Sequence, residues 1–227
     1  MLKWFKNILE KKDSSARYDA EKSIAQSSHT AERLKLAKDS RTSKDILFYM
    51  AQMDTDAHVR QAVATNKTTP IQASALLAKD KNEDVRLALA QRLMALLPDL
   101  SVDKQSQLYT YAVEALGNLA LDEVLKIRVA LSSTLKDMID TPPSVAGKLA
   151  RDLEREVSEP ILRFCVALSD ADLLDILKGH PSSWVVQAIA SRPVVAKPVS
   201  KAVIDTDDVL AGTLLMNNKG AYISLET

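Results

Sequence analysis

Apolar residues recur at helical spacing in short runs, and one such run returns several times along the chain. The stretch VRQAVA at residues 59–64 is matched by VRLALA at 85–90, IRVA at 127–130 and VVQAIA at 185–190. Within each copy the apolar positions fall three or four residues apart, which is the spacing of one face of an α-helix. The pattern predicts an all-α chain in which strands are essentially absent.

The repeat has a second fixed feature, an aspartate that lies six residues before the arginine. This spacing joins Asp54 to Arg60, Asp80 to Arg86 and Asp122 to Arg128. A carboxylate between two helices can accept hydrogen bonds from the free amide groups at the start of the following helix. Because one pair of short helices cannot bury its apolar face alone, the copies must stack on one another. The predicted architecture is an α-solenoid of helix-pair repeats over residues 30–227.

Prolines and one long interval refine this organisation. Since the missing amide of proline costs nothing at a helix start, four starts are predicted at prolines. They are Pro70, Pro142-Pro143, Pro160 and Pro198. The interval from Arg86 to Arg128 is the longest between copies, and it contains an added segment at residues 101–121. The apolar spacing of that segment, through Leu108, Ala112, Ala115 and Leu119, predicts one longer helix.

The recurring arginines, Arg60, Arg86 and Arg128, have two interpretations. On equivalent helix faces they could line a groove that binds carboxylate or phosphate groups. Because an aspartate recurs with each of them, the favoured interpretation is a structural ladder of Arg–Asp pairs that holds neighbouring repeats in register. Two later copies carry Ser158 and Val186 at the arginine position, so the ladder is not expected to continue through the C-terminal half.

The first twelve residues predict a separate amphipathic helix. Its apolar side carries Leu2, Trp4, Phe5, Ile8 and Leu9, and lysines and polar residues occupy the other side. Three roles stay open for residues 1–12: covering the first repeat, docking on an anionic membrane surface, or docking in a groove of a partner. Residues 13–29 are predicted to form either a polar linker or a further helix.

Composition and charge narrow the chemistry that is open to the chain. The 30 basic and 30 acidic residues cancel, so no global field favours nucleic acid. The three histidines, His29, His58 and His180, show no metal-ligand spacing, and the single cysteine, Cys165, lies in an apolar stretch. No glycine-rich phosphate loop or nucleophile elbow is present. We therefore expect no catalytic residue, no metal and no cofactor, and a reducing, cytoplasmic setting.

Longer phrases of the sequence resemble a known family. The phrase VSEPILRFCVALSDADLLDIL, followed by AIASRP and LLMNNKGAYIS, is similar to the bacterial family DUF2336, a domain of unknown function. The spacing of aspartate and arginine resembles HEAT-like repeats, and the resemblance covers roughly residues 30–227. It implies a helical-repeat fold and, because the family has no assigned activity, no particular chemistry.

These observations lead to a hypothesis about function. The chain is expected to be a non-catalytic scaffold or regulatory adaptor whose partner is a protein. The alternatives are a HEAT-like nucleic-acid binder, including an enzyme that acts on flipped bases, a peripheral membrane adaptor that docks through residues 1–12, and a tetrapyrrole lyase or isomerase. The final repeat is expected to be incomplete, leaving Leu214, Leu215 and Met216 poorly covered.

Overall fold

The computed structural model describes residues 15–223, and all regular secondary structure in that range is helical. Helix α1 comprises the described helical residues 15–25. It is followed by α2 (Thr30–Lys38), α3 (Lys44–Met53), α4 (Ala57–Thr65), α5 (Ser74–Leu77), α6 (Glu83–Leu100), α7 (Gln107–Leu119), α8 (Leu125–Leu135), α9 (Pro143–Ala150), α10 (Arg155–Phe164), α11 (Asp170–Lys178), α12 (Ser183–Ala190), α13 (Lys197–Ile204) and α14 (Val209–Asn217). Single 3₁₀ turns lie at Ile71–Ala73 and Ser101–Asp103. The all-α prediction is confirmed for these residues.

The N-terminal predictions are only partly within this range. Residues 1–12, with the amphipathic pattern of Leu2, Trp4, Phe5, Ile8 and Leu9, lie outside the described residues. Of the two alternatives for residues 13–29, the structure has a helix at 15–25, in which Glu21 and Ala25 are buried. Glu21 accepts from Arg17 Nε at 2.9 Å and from the Ser43 amide at 2.9 Å, which ties α1 to the start of α3.

The chain divides into two compact units. The first runs to Leu96 and also includes Asp103–Ala115, and the second comprises Leu97–Val102 and the chain from Leu116 onward. Helices α6 and α7 are therefore divided between the two units. Each unit has its own buried apolar core.

In the first unit, helices pack on the neighbours expected of successive helix pairs. Helix α2 packs against α4, the second helix of the next pair, and α3 packs against both α4 and α5. Small residues of α4, Ala62 and Ala64, are buried and allow this close approach. The larger core side chains Leu47, Met50 and Leu77 are fully buried.

The second unit repeats this arrangement. Helices α8, α10, α12 and α14 pack in series, α11 packs against α13, and α10 and α14 each contact the helix before them in the chain. Ile127, Leu131, Leu149, Ile161 and Ile189 are fully buried along these contacts. Both units therefore contain contacts of two kinds, between helices that follow one another in the chain and between helices that are separated by one other helix.

Side chains at the helix starts satisfy amides that lack a partner within the helix. Asp56 caps α4 by accepting from the His58 amide at 2.8 Å, and Asp208 caps α14 by accepting from the Ala211 amide at 2.8 Å. At α11, Ser169 and Asp172 form a reciprocal capping box. Caps of this kind contribute about 1 kcal/mol each and fix where each short helix begins.

The proline prediction is right at three places and wrong at one. Pro143 is the first residue of α9, Pro198 is the second residue of α13, and Pro70 precedes the 3₁₀ turn at Ile71–Ala73. Pro160, however, lies inside α10 and not at a helix start. The burial of Val157 and Ile161 on either side of it keeps the helix packed although one amide donor is missing.

The added segment forms more than one element. Helix α6 continues to Leu100, the 3₁₀ turn follows, and α7 begins at Gln107. Ala112, Ala115 and Leu119 are buried as their spacing predicts, whereas Leu108 is exposed. The helix predicted at residues 101–121 therefore corresponds to α7. It is shorter than the predicted segment and begins at Gln107.

The last described helix leaves part of its apolar surface uncovered. Leu214 and Met216 are 41% and 73% exposed, as predicted, but Leu215 is fully buried and that part of the prediction is wrong. Leu215 lies four residues after the buried Ala211, so both fall on the side of α14 that packs against α12 and α13.

The residues after α14 fold back onto the segment before α13. The Val195 amide donates to Gly220 O at 3.0 Å, and the Tyr222 amide donates to Val195 O at 2.9 Å. These bonds form an isolated parallel bridge between Val195 and Ala221. A Cβ atom on Gly220 would lie 1.9 Å from Pro193 O, so only glycine allows this close approach.

Replacement Gly220→Ala is therefore expected to lower the free energy of unfolding by about 1–3 kcal/mol, because the clash separates the bridge and breaks both bonds. Gly212→Ala is the matched control, since its Cβ would meet nothing within 4 Å in α14. That change should stabilise the protein by about 0.5–1 kcal/mol. Urea denaturation measures both variants, and equal stability of the two would contradict the role of the bridge.

Candidate functional site

The predicted arginine Arg60 is held by oxygen atoms of the protein itself. Its guanidinium donates from Nε to Asp80 Oδ2 at 2.6 Å and from Nη2 to Asp80 Oδ1 at 2.9 Å. The remaining nitrogen, Nη1, donates to Asp54 O at 2.9 Å. Arg60 thus joins the main chain before its own helix, α4, to the carboxylate before the next equivalent helix, α6.

The same arrangement recurs at other helix starts. Arg128 donates to the carboxylate of Asp152 at 2.6 Å and to Asp122 O at 2.6 Å. Arg86 donates from Nη1 to Asp80 O at 2.7 Å. We call these residues, together with Arg60 and Asp54, the Arg–Asp ladder.

Sequence analysis missed one member of the Arg–Asp ladder. Arg33 of α2 donates from Nε to Asp54 Oδ2 at 2.9 Å and from Nη1 to Ser27 O at 2.8 Å. Serine replaces the usual aspartate at position 27, which hides this copy from a search for the Asp–Arg spacing. The sequence does contain a sign of this copy, which is the interval of 27 residues between Arg33 and Arg60.

Each aspartate of the ladder also accepts from an amide just before the helix that follows it in the chain. The Asn82 amide donates to Asp80 Oδ1 at 2.9 Å, and the Glu154 amide donates to Asp152 Oδ1 at 2.9 Å. The side chains of Arg60 and Asp80 are only 8% and 7% exposed. Burial raises the pKa of Asp80, but the hydrogen bonds from Arg60 and Asn82 outweigh it and leave the pKa below its usual value. These groups are occupied within the fold, which is the behaviour of structural rather than ligand-binding residues.

A second series of polar side chains joins the ends of successive helices, and sequence analysis missed it. Asn66 Nδ2, after α4, donates to Ala37 O at 2.8 Å and to Asp39 O at 3.0 Å at the end of α2. Arg92 Nη1 in α6 donates to Asn66 O and Thr69 O, both at 3.0 Å. In the second unit the same role falls to Arg192 and Asn218.

Arg192 and Asn218 complete this series, which we call the helix-end clamp. Arg192 donates to Leu162 O at 2.5 Å and to Cys165 O at 2.9 Å, and Asn218 Nδ2 donates to Ala190 O at 2.9 Å and to Arg192 O at 2.7 Å. Arg192 is buried, and burial lowers its pKa. The clamp residues stand six positions after the arginine position of each copy, but their residue type varies, so the pattern is hard to find in one sequence.

The described residues hold no recognisable catalytic or metal-binding cluster. Among residues 15–223, no group of three or more His, Cys, Asp or Glu side chains could hold a metal ion. Cys165 is fully buried, and burial raises the pKa of its thiol. His58 is exposed and lies 3.3 Å from the carboxylate of Asp56, and His180 occupies an exposed turn with φ of 51°.

A pocket of about 470 Å³ lies between α2 and α4 in the first unit. Its apolar wall comes from Leu34 and Ala62, and polar and basic side chains surround that wall. They are Lys38, Ser40, His58, Gln61, Thr65, Asn66 and Lys67. The volume is in the range of sites that accept a small ligand or a few side chains of a partner. We call it the α2/α4 pocket.

The charge of the α2/α4 pocket differs from that of α10 in the second unit. Among residues 15–223, no carboxylate lines the pocket, whereas Lys38 and Lys67 do. On α10, Glu159 accepts from Arg155 Nε at 2.7 Å and lies 3.7 Å from Arg163 Nη1, so the basic groups there are neutralised. Arg155 also lies 5.5 Å from the ring of Trp184. The arginine beside Trp184 is therefore already ion-paired. It does not belong to a row of free basic side chains of the kind that binds nucleic acid.

The described residues are all-helical, and comparison with known proteins gives a family match for the C-terminal part of the chain. Residues 157–227 match the model of the family described as an uncharacterised protein conserved in bacteria, DUF2336. The predicted family is therefore confirmed over these residues, which include α11 to α14 and most of α10. No curated protein and no solved structure matches the chain significantly.

One further finding concerns membranes. Among the described residues, no helix has both the length and the apolar character that crossing a bilayer requires.

Proposed function

We propose that this chain is a non-catalytic protein-interaction scaffold of a bacterial cell, and that its α2/α4 pocket receives part of a protein partner. The observation that carries this proposal is the pocket itself. It combines an apolar wall at Leu34 and Ala62 with two lysines, Lys38 and Lys67, none of which belongs to the Arg–Asp ladder. An apolar surface with a few convergent polar groups is the usual character of a binding site.

The proposal includes a HEAT-like solenoid arrangement of the helix pairs within each unit. It is supported by the recurrent packing of equivalent helices, such as α2 on α4 and α10 on α12. The Arg–Asp ladder supports it too, since Arg33, Arg60 and Arg128 each join their own pair to the next one. Stacked pairs of this type offer long surfaces that are used for binding. A cytoplasmic location is part of the same proposal and agrees with the single, buried thiol of Cys165.

The experiment places a photo-crosslinking amino acid at Gln61 in the full chain, expressed in its native host. Gln61 lines the α2/α4 pocket, and Gln52 is the matched control because it is an exposed glutamine of the same unit outside the pocket. Irradiation is expected to yield a discrete covalent protein product from position 61 and not from position 52, and mass spectrometry identifies the captured protein.

The purified partner should then bind the unmodified chain in isothermal titration calorimetry, with a Kd that rises when the pocket is blocked by Thr65→Trp, because Thr65 lines the pocket and is exposed. Retained thermal stability of that variant shows that the loss concerns binding and not folding. Identical products from positions 61 and 52, or a Kd that Thr65→Trp leaves unchanged, would refute the pocket as the interaction site.

A further inference from the structure

The cationic groups at the rim of the α2/α4 pocket form no ion pair with the residues that the structure describes. No ion pair within the described part of the chain involves Lys38 or Lys67. Lys38 is the last residue of α2, and Lys67 follows the residue that ends α4. Two exposed ammonium groups therefore border one apolar wall.

The acids closest in sequence to these lysines are already engaged. Asp39 accepts from the Arg41 side chain at 3.1 and 3.0 Å, and the pKa of Asp39 falls to about 2 because of these bonds and the bond from the Arg41 amide. Asp56 accepts from the His58 amide at 2.8 Å, and its pKa is lowered by the amides that it caps. Asp39 is paired with Arg41 and Asp56 lies beside His58, so within the described part of the chain neither carboxylate forms an ion pair with Lys38 or Lys67.

The floor of the pocket is also fixed in place. Asn66 lines it and is held through Nδ2 by two carbonyl oxygens at the end of α2, while its Oδ1 accepts from the Thr68 amide at 2.9 Å. Leu34 and Ala62 lie on the two helices that these bonds join. A ligand would thus meet a preformed apolar surface, which lowers the ordering cost of binding.

We infer that the α2/α4 pocket recognises an acidic segment of the partner protein, in which a glutamate or aspartate lies beside an aliphatic side chain. The inference rests on the proposed function and names the chemistry of its partner. The carboxylate meets Lys38 and Lys67, and the aliphatic group covers Leu34 and Ala62. A nucleic-acid strand fits less well, because none of the described residues that line the pocket is an aromatic on which a base could stack.

Titration of the ¹⁵N-labelled full chain with a synthetic peptide tests this inference. The probe is the capped peptide acetyl-Gly-Ser-Leu-Glu-Glu-Leu-Ser-Gly-amide, and its counterpart has glutamine at both glutamate positions. The acidic peptide is expected to shift the amide signals of Gln61, Thr65 and Lys67 in a saturable manner. The glutamine peptide should bind about fivefold more weakly, since two exposed charge pairs of about 0.5 kcal/mol each are lost.

Charge reversal of the pocket provides the matched variants. Lys38→Glu combined with Lys67→Glu should weaken the acidic peptide by at least about tenfold. Lys44→Glu combined with Lys79→Glu makes the same change in net charge at exposed lysines of the same unit outside the pocket, and should leave the affinity within about twofold. Both double variants are checked for unchanged melting temperature.

Three results would overturn the inference: no saturable shift at millimolar peptide, equal binding of the two peptides, or shifts that lie outside the pocket. If a single-stranded oligonucleotide shifts the amide signals of the pocket residues more strongly than the peptide does, the ligand of the pocket is nucleic acid and not an acidic peptide. These failures differ from failure of the proposed function. A partner captured from Gln61 that binds without acidic residues refutes only the inference, whereas absence of capture refutes the function.

Discussion

Replacement Arg60→Ala is expected to lower the free energy of unfolding by about 3 kcal/mol. The variant loses three hydrogen bonds that Arg60 donates to Asp80 and to Asp54 O, and it leaves the Asp80 carboxylate with little exposure and no cation. Removing one partner of a buried ion pair lowers the free energy of unfolding by more than the intact pair contributes to it, because the remaining charge is poorly solvated. Chemical denaturation measures the change.

The matched control is Arg41→Ala, which removes the ion pair between Arg41 and Asp39 in the same unit. Arg41 and Asp39 are 78% and 36% exposed, so water replaces the lost partner and no measurable change is expected. If both variants were equally stable, the Arg–Asp ladder would have no role in holding the first unit together.

Acid titration gives an independent measure of the same pair. Since the folded pKa of Asp80 lies below its unfolded value, the stabilisation is fully present above about pH 4 to 5 and is lost as the pH falls through the folded pKa. The stability difference between the native chain and Asp80→Asn should therefore be largest near neutral pH and shrink in acid. A difference that stays constant down to pH 2 would contradict the ion pair.

Replacement Arg192→Ala is expected to destabilise the second unit by about 3 kcal/mol. Arg192 is only 8% exposed, and it supplies the donors for Leu162 O and Cys165 O at the end of α10. Without it, two carbonyl oxygens lose their donors and the packed stem of the side chain leaves a cavity. The helix-end clamp between α12 and α10 is thereby opened.

Cys165 reports this opening directly, because it is the single cysteine of the chain and is fully buried. Its modification by a thiol reagent requires a transient opening, so a loss of about 3 kcal/mol should raise the labelling rate about 100-fold. Arg151→Ala is the control, since its pair with Asp175 is exposed on both sides and contributes at most about 0.5 kcal/mol. Equal labelling rates in the two variants would show that Arg192 does not hold this end of α10.

These two predictions come from residues that sequence analysis treated very differently. Arg60 was found by its spacing from Asp54, and its structural interpretation was favoured because an aspartate recurs with every arginine. Arg192 was not singled out, since the equivalent positions carry either arginine or asparagine, at Asn66, Arg92 and Asn218. A main-chain carbonyl can accept a hydrogen bond from either side chain, so no single residue type marks the position in the sequence.

The α2/α4 pocket was likewise absent from the sequence predictions. His58 was considered only as a metal ligand, and Lys38 and Lys67 belong to different copies of the repeat. Their common position depends on the packing of α2 against α4, 29 residues apart at these lysines. The spacing of apolar residues within one helix does not indicate which side chains of two packed helices will line the same pocket.

The sequence by itself determined that the described residues are helical, that most of their helices are short, and which family the C-terminal part resembles. Helical period, caps and the Asp–Arg spacing are local properties, so many helix starts can be read from a few neighbouring residues, although those of α7 and α10 could not. Only the tertiary structure decided that Arg60 reaches forward to Asp80, that Leu215 is buried while Met216 is exposed, and that Lys38 and Lys67 share a pocket. Those outcomes depend on which faces meet when successive pairs pack, and distances between faces are set by the fold and not by neighbours in the chain.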